Sequence, residues 1–222
     1  MIKKITNFKF VIRNCKKGMT YVELIVVLGI FSMLSAVAIF NYGDFQSNVD
    51  IKNLASDVAT KVVEAQKASM SGVLPQSGGY EKNWKPSYGV YFDTASDAAS
   101  FIYFADLNQD NLFGDADSSC SFGGECIDKI NITKGNSIAT LGVVYEGDDA
   151  VNCVDNLTIS FKRPNSSAVL VSNKEILRGV SYAQVTLTSP KGKTSNIKLY
   201  TSGRIQVSSA GSLLKCMVRG RL

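Results

Sequence analysis

The 222 residues contain no histidine, which removes Ser-His and Cys-His nucleophile pairs and histidine-based metal catalysis. The net charge of +5 belongs to one end, because residues 1–17 carry Lys3, Lys4, Lys9, Arg13, Lys16 and Lys17 with no acid and the remainder sums to −1. With 45% hydrophobic residues, the length suits one folded domain plus an anchor or tail.

Behind the basic arm, residues 21–40 form an apolar run of 20 residues that is uncharged from Leu24 onward. As a helix this run reaches about 30 Å, the hydrocarbon thickness of a bilayer. The basic flank places residues 1–17 on the cytoplasmic side and residues 41 onward outside, under the positive-inside rule. Two ordinary readings are a secretory signal peptide cut after Ala36-Val37-Ala38 and a plain membrane tether. The apolar core is too long for the first, since such cores run about 7–15 residues. Neither accounts for Glu23, a lone carboxylate costing roughly 2.5–3.5 kcal/mol at full membrane depth.

Lys17-Gly18-Met19-Thr20-Tyr21-Val22-Glu23-Leu24-Ile25-Val26-Val27-Leu28 resembles the prepilin signature of type IV pilins and type II secretion pseudopilins. The resemblance implies cleavage by a prepilin peptidase between Gly18 and Met19, N-methylation of Met19, and Glu23 as fifth residue of the mature chain. Met19 stands where the family usually has Phe. Where the family often has a proline, this chain has Phe40, so any helix break near there falls to Gly43. Cleavage leaves an amine on Met19 that a neighbouring subunit's Glu23 can neutralise, and burying both charges is tolerable when they pair.

From Asp44 to about Ser71, Ile51, Leu54, Ala55, Val58, Val62 and Ala65 recur at spacings of three and four and predict an amphipathic continuation of the helix. Asp50, Lys52, Asp57, Lys61 and Glu64 supply its wet side, and Gly72 and Pro75 stop it. Residues 76–87 read as a loop. Alternation then predicts strands near 88–93, 100–105, 126–133, 137–145, 156–163, 167–172, 181–189, 194–201 and 203–208, with turns at 190–193 and Ser202-Gly203. The expected fold is α+β: a long N-terminal helix followed by an antiparallel β-sandwich-like domain. Its divisions are a leader 1–18, a membrane and assembly helix 19–43, its amphipathic continuation 44–72, and a β-rich domain 73–222. The ending Asn196–Val207 is similar to the last strands of the GspH/FimT minor pseudopilins.

Three further features carry candidate chemistry. Asp106, Asn108, Asp110, the carbonyl of Leu112 and Asp117 fall at places one, three, five, seven and twelve of a calcium loop, with Asn111 where such loops prefer glycine. The alternative is an Asx-rich turn. Cys120, Cys126, Cys153 and Cys216 form an even set outside the membrane, which suits Cys120–Cys126 and Cys153–Cys216 disulfides, or four buried free thiols. Cys15 lies in the arm. Arg204, Lys215, Arg219 and Arg221 are a thin footprint for nucleic acid, and a solvated terminus is the plainer reading.

The sequence therefore points to a non-enzymatic minor pilin or pseudopilin. Its expected partners are prepilin peptidase, other pilins in a filament or tip, an inner-membrane assembly platform, and the membrane itself through residues 21–40. The other readings are a DNA-uptake pilin and a membrane-tethered domain, outside the cytoplasm, that binds calcium or another ligand.

Overall fold

The computed structural model describes residues 18–74, 86–114, 120, 124–148, 150–164 and 166–210. Pro75, residues 1–17 of the leader, Asp117, Cys216 and the residues after Ala210 lie outside these. The chain divides into two compact units, Met1–Gly43 and Asp44–Leu222. One helix, α1 (Tyr21–Ser71), contributes to both and runs through Gly43 without a break.

Within the second unit, Ile51, Ala55, Val58, Val62 and Ala65 have exposures of 1% or less. Their spacings of four and three put them on one stripe of the helix. Alanine at 55 and 65 keeps the backbone close to the strands it covers. Leu54 is only partly buried and sits at the edge of this stripe. Gly72 ends the helix at a φ of 64°, in the left-handed region that glycine enters without cost. Val73 N–H bonds the Ala68 carbonyl (3.4 Å) and Gly72 N–H the Ser69 carbonyl (3.3 Å), the paired bonds of a Schellman motif. Arg163 Nη2 donates to the Met70 carbonyl at 2.5 Å, Tyr88 Oη to Val73 at 2.8 Å, and Ser69 Oγ to Phe161. The last turn is thereby tied to two strands.

Among the described residues eleven strands follow: β1 (Ser87–Asp93), β2 (Asp97–Asp106), β3 (Cys126–Asn131), β4 (Ser137–Tyr145), β5 (Asn152–Val154), β6 (Asn156–Phe161), β7 (Ala168–Ser172), β8 (Glu175–Ile176), β9 (Val180–Thr188), β10 (Thr194–Tyr200) and β11 (Ile205–Ala210). They form two antiparallel sheets, ordered β3-β2-β1-β6-β7-β8 and β11-β10-β9-β4-β5. The α+β architecture is as expected. β5 and β8 were not predicted, since three and two residues are too few for alternation to register. β11 starts later than predicted because Gly203 lies in the turn, donating to the Tyr200 carbonyl at 2.8 Å.

Helix and sheets share one core. Phe92, Leu157, Ile159 and Phe161 from the first sheet and Leu141, Val185, Ile197 and Leu199 from the second are all essentially inaccessible. Gly203 (φ 84°) lies against the helix, where Gln66 Nε2 donates to its carbonyl at 3.1 Å and to that of Ser166 at 2.9 Å. A Cβ on Gly203 would collide with the Ser166 carbonyl and with that Gln66 amide.

Candidate functional site

Two places bear on function: the start of α1 and the loop after β2.

Gly18 and Met19 are exposed and precede the helix. Thr20 caps it. Its Oγ1 accepts the Glu23 N–H at 3.3 Å, and its carbonyl takes the first helical bond from Leu24 at 3.1 Å. Thr-x-x-Glu is the sequence of a capping box, and Glu23 sits at the positive end of the helix dipole. This capping role of Thr20 was missed in the sequence reading, although the spacing Thr20–Glu23 announces it. Beyond Glu23 the helix carries no charge until Asp44. Ile25, Val26, Val27, Leu28, Phe31 and Leu34, which together point in every direction around the axis, are all exposed. Ser32 Oγ donates to the Leu28 carbonyl at 2.8 Å, so its hydroxyl proton is satisfied without water. The helix is long and apolar enough to cross a membrane.

The second place begins at Asp106, the last residue of β2. Alternation along β2 sends Phe101, Tyr103 and Ala105 into the shared core, and Ile102, Phe104 and Asp106 to the other face. On that face the loop folds back. Phe113 stacks on Tyr91 with ring centroids 5.2 Å apart and meets Phe104 edge-on at 5.6 Å. Phe113 was not picked out from the sequence; a lone aromatic in an Asx-rich loop was the available signal.

Asp106 is fully buried. Its Oδ2 accepts the Asn111 N–H at 3.0 Å, and its Oδ1 is buried with no hydrogen-bond donor. Asn108 Oδ1 accepts the Asp110 N–H at 3.0 Å, and Asp110 Oδ1 the Leu112 N–H at 2.7 Å. Gln109 and Asn111 both take positive φ, near 62° and 64°, which coils the backbone inward. Glu125, also missed in the sequence reading, completes the group at 6% exposure. Its Oε1 accepts the Leu107 N–H at 3.1 Å and its Oε2 the Gly114 N–H at 2.8 Å, so one carboxylate joins the two ends of the loop. Burial pushes the Asp106 carboxyl above its ordinary range against the pull of loop N–H groups, and Asp110 adds repulsion. Burial raises Glu125 too, opposed by the Gly114 and Leu107 N–H groups. Among the described residues, no three acidic or cysteine side chains already converge as ligands of a metal ion.

Glu125 is held in place by its neighbour. Cys126 opens β3 and is disulfide-bonded to Cys120, with 4.8 Å between the Cα atoms. Cys153 is disulfide-bonded as well. Arg204, one of the four cations singled out above, lies 3.9 Å over the Tyr200 ring. The other three, Lys215, Arg219 and Arg221, fall outside the described residues.

A long helix with an exposed apolar half, leading into an antiparallel two-sheet domain, fits a pilin-like protein. Two curated proteins match the chain, both a "Fimbrial protein" of Pseudomonas aeruginosa. One is 26% identical over 156 residues and the other 25%, each match covering 68% of this chain and 94% of that protein. They support a pilin-like family. No family model and no solved structure matches.

Proposed function

We propose that the protein is a pilin-type structural subunit, a minor pilin or pseudopilin of the GspH/FimT kind, held in the bacterial inner membrane and then assembled into a pilus or pseudopilus. The observation that carries this reading is the first half of α1. Residues 24–43 are uncharged, and the apolar side chains described there stay exposed while the domain beyond them closes a complete core. An exposed apolar cylinder in water is untenable; lipid before assembly and neighbouring helices after it are the environments that suit it. The fimbrial relatives favour assembly over simple tethering.

Prepilin peptidase then cuts between Gly18 and Met19, Met19 is methylated, and Glu23 meets the Met19 amine of a neighbouring subunit. Because Glu23 also stands in the first turn of the helix, Glu23→Gln is the discriminating variant, since the amide keeps the side chain's size and hydrogen-bonding capacity and removes the charge. The Gln variant is expected to be cleaved and membrane-inserted but poorly incorporated into sheared filaments when competing with wild type. Incorporation equal to wild type would sink the charge-pairing role.

A further inference from the structure

We propose that the loop Asp106–Gly114, closed by Glu125, is a calcium site, and that Glu125 is its closing bidentate carboxylate. The inference stands independently of the filament reading.

The two oxygens of Asp106 are treated differently by the fold. One accepts the Asn111 N–H and shapes the loop; the other, on a fully buried side chain, has no donor. A carboxylate oxygen shut away from water with no donor is costly, and a cation is a partner that removes the cost. The carboxylate lies within the loop, since its Oδ2 accepts the N–H of Asn111, five residues further along. Asp106, Asp110 and Glu125 make no ion pair with any described Lys or Arg. The Asp106 and Glu125 carboxylates, both buried, thus lack a cationic partner among the described side chains.

The remaining donors follow from the coil of the backbone. Asn108 and Asp110 lie two and four places after Asp106, and the Leu112 carbonyl two places further on. This order is that of a calcium loop. Such a loop ends on a glutamate able to give both oxygens, whereas the residue at its twelfth place here, Asp117, is shorter. Glu125 has the required length. Although distant in sequence, it bonds Leu107 and Gly114, the second and ninth residues of the loop. The Cys120–Cys126 bond fixes the strand end that delivers it. Asn108 and Asp110 are exposed, so they turn inward onto the ion while Asp106 and Glu125 stay in place. Mixed carboxylate, amide and main-chain oxygens on a pliable loop suit the 6–8 ligands of calcium better than the rigid octahedron of magnesium.

The test uses the full chain in detergent, stripped with chelator, and titrated with calcium chloride or magnesium chloride. Calorimetry is expected to find one calcium per chain, and millimolar calcium to raise the melting temperature by several degrees more than magnesium does. Asp110→Asn removes one charge from an exposed side chain and keeps an oxygen for the Leu112 N–H. It should weaken calcium binding by roughly tenfold or more and shrink the melting-temperature difference between calcium and chelator. Glu125→Gln should weaken binding likewise. No heat and no melting shift at millimolar calcium, or an equal response to magnesium, overturns the site. Binding kept by Glu125→Gln and lost by Asp117→Asn overturns the assignment of Glu125.

Discussion

Gly203 shows how one residue can hold two loops to a helix. Its φ of 84° is a conformation that side-chain-bearing residues adopt at a cost of about 1–3 kcal/mol. Gly203→Ala also drives a methyl into the Ser166 carbonyl and the Gln66 amide that bonds both loops. A loss of at least about 2 kcal/mol is expected from the denaturant midpoint of the full chain in detergent. Gln66→Ala, which removes the bridge without the strain, should cost about 1 kcal/mol. Asp97 makes a prediction in pH. The Ser100 hydroxyl, then Lys129 and the Ala99 N–H, hold its carboxyl below the ordinary 3.8. Its stabilisation is therefore present above that value and is lost as pH falls through the lower, folded one. Asp97→Asn should flatten the acid limb of a stability–pH curve below about pH 4 and leave its neutral part shifted by a constant amount.

At the scale of the element, α1 is one helix with two kinds of surface. Ile51 is 1% exposed and Ile25 is 49% exposed, although the two lie on the same helix. Ile51→Ala opens a cavity in the shared core and should cost about 2–5 kcal/mol. Ile25→Ala should leave the unfolding midpoint of the β domain unchanged, and lower only membrane retention and incorporation into filaments. Both halves were legible in the sequence, because an unbroken apolar run and a three-four alternation are different patterns. The strands were mostly legible for the same reason. β5 and β8 were not, being set by pairing with Leu141–Val143 and Val171–Ser172 rather than by any pattern of their own. Glu125 was invisible in a different way. It lies eleven residues beyond Gly114, and only the return of the chain into β3 brings the two together.

For the whole molecule, intact mass of the membrane-extracted protein should show a chain that begins at methylated Met19; a chain beginning at Ile39 would mark a signal peptide and sink the pilin reading. The Asp50–Lys134 (2.7 Å) and Asp44–Lys191 (3.1 Å) pairs link the helix to distant loops; the second is solvent-facing and contributes little, whereas the Asp50 carboxylate of the first is largely covered. The described core of the second unit begins at Ile51, eight residues after the division between the compact units at Gly43 and Asp44. The residues that the fold consumes and those that an oligomer or a bilayer would consume thus do not overlap along the chain. Such a chain can be severed at Gly43 and still possess every side chain of its core, so a fragment starting at Asp44 should be soluble and melt cooperatively, whereas one starting after Val58 should not. The same separation lets substitutions accumulate on either side of Gly43 without compensation on the other, leaving the surface offered to neighbouring copies free to diverge while the interior stays fixed.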